Sequence, residues 1–193
     1  MTDSIIRTLA RYEKLHGQKQ IYLNLWQEIG EFCYPAQQNF TRYIPQGSAL
    51  SDGQGKRRRP IFDSTPEQSL DIFASSMVGM LANPASKWVN FQVIDSALVE
   101  DRDVQLFIDE AQQKVLSVFN NPRTKFYDNL FTALKMIGAF GTASMLVDSD
   151  EEDVAKFRVE SPRNFDFTED FSGNVDEVFF EKEWTVDNLR KAM

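Results

Sequence analysis

Apolar residues recur at helical intervals through the first two thirds of the chain and alternate with polar ones in the last third. Ile5, Leu9, Tyr12 and Leu15 fall on one stripe, which Ile21, Leu25, Trp26, Ile29 and Phe32 continue beyond Gly17. Residues 4–34 therefore predict helix, with Gly17 either dividing it in two or bending one. Pro35 ends it, because proline disfavours the helical conformation in the residue before it. The next helix, Ser64 to Ala82, opens on "STPE", with Ser64 as the cap, a proline in the first turn and Glu67 at the capping-box position. Its stripe is Leu70, Phe73, Ala74, Met77, Met80 and Leu81, and Asn83-Pro84 closes it. "KWVNFQVI" then predicts a strand in which Trp88 or its alternate neighbours face the core.

Asp101 to Asn120 carries Val104, Phe107, Ile108, Ala111, Val115, Val118 and Phe119 at helical spacing, "NNPR" is a turn, and Lys125 to Phe140 repeats the pattern on Phe126, Leu130, Leu134 and Ile137. The pair predicts an antiparallel helical hairpin. After Gly138 and Gly141 the period drops to two: "TASMLVD", "KFRVES", "NFDFTED" and "NVDEVFFEKEWT" read as strands, the last two joined by the turn "FSGN". "TVDNLRKAM" starts another helix with Thr185 as its cap and reaches no terminator, so a longer protein is expected. The fold class is α+β: N-terminal helices and a helical hairpin packed with mainly antiparallel β-hairpins. The expected organisation is a helical segment over 1–34, a long loop over 35–60, and an α+β region over 61–193.

The loop is about 25 residues of Pro, Gly, Ser and Gln with few apolar positions, and structureless loops beyond about 15 residues are usually functional or ordered by a partner. Composition otherwise fits an ordinary globular chain of 193 residues, 42% hydrophobic and 26% charged. No window approaches the ~18 consecutive apolar residues of a membrane span, and the N-terminus shows no signal-peptide core. The single Cys33 cannot form an internal disulfide, which fits a reducing compartment. The net charge of −8 is uneven, since residues 148–183 hold 13 acids against 4 bases and residues 1–147 balance. An acidic chain is a poor candidate for tight, non-specific duplex binding, which depends on Lys and Arg displacing counterions.

Candidate chemistry is sparse. His16 is the only histidine and sits in a charged amphipathic helix, so a solvated helix histidine is favoured over a member of a Ser-His-Asp or Cys-His set. One Cys and one His cannot supply the usual four zinc ligands. The run "DSDEED", Asp148 to Asp153, lacks the glycine and bidentate glutamate of a calcium loop and reads as a solvated turn between two strands. "GMLANPASKW" and "GAFGTAS" match no phosphate-binding motif. No cofactor and no metal ligand is assigned. Lys56, Arg57, Arg58 and Arg59 form the one singled-out site. Such a run suits phosphates, a subunit or partner contact, or solvation, and the contact is favoured.

"RRRPIFDSTPEQSLDIFASSMVGMLANPASKWVNFQV" resembles the portal family, the head-to-tail connector proteins of short-tailed bacteriophages (podoviruses). The matching positions are Arg59, the step Phe62-Asp63-Ser64-Thr65, the helix Ala74 to Leu81, Asn83-Pro84 and Trp88. "FYDNLFTALKMIGAFGTASMLVD", "FRVESPRNFDFTEDFSGNVDEVFF" and "YEKLHGQKQIYLNLWQEIGEFCYP" are similar to further family passages in the same order. The resemblance places the chain in the N-terminal part of the wing; complete members are far longer and add stem, clip and crown. It implies a structural, non-enzymatic subunit of a dodecameric ring at one capsid vertex. Through that ring a terminase motor drives double-stranded DNA, and the ring joins head to tail. Implied partners are further copies of the chain, capsid and scaffolding proteins, tail adaptors and the passing DNA, with no membrane; the protein is made in the host bacterial cytoplasm and resides in the virion. The competing readings are a metal-dependent DNA-processing enzyme using the acidic segment, and a small adaptor or binding module.

Overall fold

The computed structural model describes residues 2–37, 39–41, 63–94, 101–150, 152–182, 186, 187 and 190. Helix α1 spans Thr2–Phe32, α2 Thr65–Leu81, α3 Arg102–Asn120 and α4 Phe126–Phe140. The strands are β1 Ser144–Asp150, β2 Val154–Glu160, β3 Phe165–Glu169 and β4 Val175–Phe180. They pair as two antiparallel two-stranded sheets, β1 with β2 and β3 with β4. The fold is α+β, and it divides into two compact units, Met1–Glu67 with Glu160–Met193, and Gln68–Val159.

In the second unit α2 and α4 approach closely enough that a Cβ on Gly138 would stand 2.9 Å from Leu70 Cδ1. A side chain at 138 would have to displace Leu70 or the Phe73 ring. Asp101 caps α3 by accepting from the Asp103 amide. The "NNPR" turn is a 3-10 turn over Pro122–Thr124 in which the fully buried Thr124 donates its hydroxyl to the carbonyls of Val118 and Asn121. Helices α3 and α4 contact each other through Phe119 and Phe126, whose rings are 4.5 Å apart, and Trp88 stacks on Phe126 at 5.7 Å. Gly141 ends α4 in the left-handed conformation with φ 79°. The Asn129 side chain then takes the place of a neighbouring strand for β2, donating to the Phe157 carbonyl and accepting from the Val159 amide.

The expected strand at "KWVNFQVI" is absent. Residues 87–94 are irregular: Trp88 is half-buried in the aromatic cluster, its indole N–H donating to Tyr127, while Ile94 is fully exposed. A strand needs a ladder partner, and among the described residues none lies alongside. The expected hairpin at "FSGN" is present, with the cross-strand pairs Phe165↔Phe180, Asp166↔Phe179 and Phe167↔Val178. Val186, Asp187 and Arg190 are helical, as "TVDNLRKAM" predicts, while its cap Thr185 lies outside the described residues.

In the first unit α1 is one uninterrupted helix through Gly17. Its buried face differs from the predicted one. Lys19, Leu23 and Gly30 are buried, Tyr12, Leu15, His16, Trp26 and Ile29 are half-buried, and Ile5, Leu9, Ile21 and Leu25 are exposed. The stripe through Tyr12 and Leu15 has the right phase, but beyond Gly17 the phase differs, because the contact with β3 is made through a charged residue that the hydrophobic pattern does not count. Past α1, Phe40 and Thr41 donate backbone N–H groups to Gln27 Oε1, and Arg163 Nη1 donates to the Asn39 carbonyl. Lys56 to Arg59 lie outside the described residues.

Candidate assembly surface

The polar centre of the first unit joins α1 to the β3–β4 hairpin. Lys19, whose side chain is 9% exposed, donates to the carbonyls of Arg163 at 2.8 Å and Phe165 at 2.9 Å. Its third contact is Asp166 Oδ1 at 2.9 Å, on a carboxylate only 5% exposed. Three acceptors around one ammonium satisfy all its donors, which is the condition under which a charge tolerates burial. Further along α1, Tyr12 donates to Glu181 and Arg11 pairs with Glu177. Burial, with Glu181 and Asp166 nearby, raises the Tyr12 phenol above its ordinary value, since each disfavours the phenolate.

His16 is not the solvated helix histidine the sequence suggests. Its Nδ1 is buried, makes no hydrogen bond, and faces Asp166 Oδ2 at 3.5 Å. The Gln20 amide nitrogen stands 3.2 Å from Nε2. His16 thus faces Asp166 on one side of the ring and Gln20 on the other, and Gln20 occupies the position where a nucleophile would stand. The acidic run linking β1 and β2 is exposed at Asp148 and Glu152, as expected, but not at Asp153. Asp148 and Asp150 lie in β1, and Asp153, 9% exposed, accepts from Asn121 Nδ2 at 3.3 Å and faces Arg123 at 3.7 Å. Among the described residues no cluster of His, Cys, Asp or Glu is placed to hold a metal ion, and no helix is long and apolar enough to cross a membrane.

Two exposed apolar places in the first unit lie outside this centre. The β3–β4 hairpin uses one face, Asp166, Glu177 and Phe179, against α1, through Lys19, Arg11 and Tyr12. On the other face Phe165 lies beside Phe180 and Phe167, and Phe167 and its cross-strand partner Val178 are exposed. At the tip Phe171 is fully exposed on a turn held rigid by Asp170. The Asp170 carboxylate accepts from the amides of Ser172 at 2.7 Å and Asn174 at 2.9 Å, Gly173 takes φ 80°, and the Asp170 amide donates to the Asn174 carbonyl. The Asn174 amide, with Ser172 and Gly173, holds the Asp170 carboxyl below its ordinary value. The second apolar place is the side of α1 away from the hairpin, where Ile21 is 79% exposed and Leu25 is 53% exposed.

Sequence reasoning missed Lys19 and Asp166 because their partnership spans almost the whole chain. It treated Phe171 as a turn residue, although an aromatic inside "DFSGN" was itself a signal.

The comparisons with known proteins agree on one group. The family model for bacteriophage head to tail connecting protein matches residues 7–193. The chain is 25% identical over 178 residues to a probable portal protein of Bordetella phage BPP-1, covering 92% of this chain and 31% of that protein. It is 23% identical over 150 residues to the portal protein of Salmonella phage epsilon15, covering 78% of this chain and 26% of that protein. The chain thus spans about a third or less of the length of these relatives.

Proposed function

Because the chain belongs to the bacteriophage head to tail connecting proteins, we propose that it acts as part of a portal subunit, a structural component of the ring through which double-stranded DNA enters and leaves the head. The observation that carries this reading is the family match over nearly the entire chain, joined by two relatives named as portal proteins. In this reading the working partners are further copies in a ring, twelve in number, with capsid and scaffolding proteins, a terminase motor and tail adaptors around it. The protein resides at one vertex of the virion after synthesis in the host cytoplasm, and it performs no catalysis.

The charge distribution supports a conduit. A net-acidic protein does not hold a moving duplex tightly, and the local excess of acids over residues 148–183 acts in the same sense. Lys56 to Arg59 are assigned to a subunit contact in preference to DNA. Electron micrographs of the intact purified protein test the reading: rings with a central hole are expected, and a protein that stays monomeric at high concentration overturns it.

A further inference from the structure

The β3–β4 hairpin carries apolar residues on both faces; α1 covers one of them, and on the other Phe165 at the base is also buried. A two-stranded sheet is marginal in water unless its apolar faces are covered. Phe167 and Val178 stay exposed on the outer face, and Phe171 projects from a turn whose backbone is fixed by Asp170. An aromatic presented on a rigid turn loses little conformational freedom on binding, which is how interface anchors gain their energy. The surrounding charge has one sign. Residues 164–181 contain six acids and no Lys or Arg, and Glu169, Asp170 and Asp176 are exposed around the tip. The hairpin is therefore acidic at its tip and apolar towards its base.

The outer side of α1 has the complementary arrangement. Arg7, Lys14, Ile21 and Leu25 are all exposed and spaced by seven, seven and four residues, which sets them in one stripe of a helix. Lys19 and Leu23, buried against the unit's own core, lie two residues from Ile21 and Leu25 and so on the opposite side. The stripe is basic in its N-terminal half and apolar beyond it. Arg7 to Leu25 covers about 27 Å at 1.5 Å per residue, enough to receive a hairpin of five- and six-residue strands.

We propose that the outer face of the β3–β4 hairpin docks on the outer stripe of α1 of a second copy of this chain, Phe167 and Val178 against Ile21 and Leu25, the acidic tip against Arg7 and Lys14. The contact joins two different surfaces of one chain, so it is heterologous, and repetition about an axis closes a ring. The inference rests on the proposed portal reading and identifies which surfaces carry the subunit contact.

The test uses the intact protein in sedimentation velocity over a concentration series, with Phe171→Ser, Lys14→Glu, Asp176→Lys and the Lys14→Glu/Asp176→Lys pair. Circular dichroism confirms that each variant is folded. Phe171→Ser and each single charge reversal are expected to raise the concentration for half-assembly by about tenfold or more, and the paired reversal is expected to recover most of that loss. Wild-type assembly that neither Phe171→Ser nor the single reversals disturb overturns this contact and leaves the portal reading standing. So does a paired variant whose losses simply add. A wild-type protein that never associates overturns both.

Discussion

Removing the Lys19 ammonium isolates a buried ion pair in the first unit. Lys19→Met keeps most of the side chain's volume and leaves the Asp166 carboxylate, 5% exposed, without its ion-pair partner at 2.9 Å. It also deprives the carbonyls of Arg163 and Phe165 of a donor. Breaking a buried pair from one side costs about 3–5 kcal/mol, because an uncompensated charge stays behind. The double change Lys19→Met/Asp166→Leu removes both charges; the two carbonyls lose a donor and His16 Nδ1 loses the carboxylate it faces, at roughly 1–3 kcal/mol in total. The double variant is therefore expected to be more stable than the single. Trp26, half-buried beside Phe40 at 5.7 Å, reports on this unit once Trp88 and Trp184 are changed to Phe. With a urea dependence of about 1–3 kcal/mol/M, the single change moves the midpoint by roughly 1–5 M at unchanged slope. A loss below about 1 kcal/mol for Lys19→Met, or a double variant no more stable than the single, refutes the reasoning.

Gly138→Ala brings a Cβ to 2.9 Å from Leu70 Cδ1 and 3.0 Å from the Phe73 ring, so thermal denaturation is expected to show a loss of about 1–3 kcal/mol despite alanine's better helix propensity. Gly79→Ala meets nothing within 4 Å and is expected to gain up to about 1 kcal/mol; equal effects at the two sites would contradict the packing between α2 and α4. Asp170 is ionised more readily in the folded hairpin than in the unfolded chain, so its contribution is present above the ordinary carboxylate value and lost as pH falls through the depressed one. The amide resonances of Ser172 and Asn174 are accordingly expected to titrate with a midpoint below the ordinary aspartate value, and a midpoint above it counts against the turn geometry. Changing Arg57, Arg58 and Arg59 together to Ala is expected to weaken subunit assembly more than DNA retention; intact assembly with a flattened salt dependence of DNA binding reverses that assignment.

The helices were legible because their apolar period and their punctuation agree. Asn83-Pro84 ends α2 where expected, and "FSGN" gives the β3–β4 turn through a glycine that adopts positive φ. The strand at "KWVNFQVI" misled because β-propensity without a partner builds no ladder, and Trp88 found burial against Phe119 and Phe126 instead. The phase of α1 was hidden for a different reason. Apolar counting puts Ile21 and Leu25 inward, whereas Lys19 reaches a carboxylate and two carbonyls more than 140 residues away. Local periodicity carries no information about that pairing. The same error conceals the outer apolar stripe, which becomes visible only once the buried face is known.

The claim that this chain serves at the junction of head and tail is tested most directly by locating it on assembled phage particles. Antibody raised against residues 101–182 and coupled to gold, applied to tailless or disrupted heads, is expected to mark a single vertex of each head. Gold spread over the whole shell, or confined to the distal tail, would contradict the account.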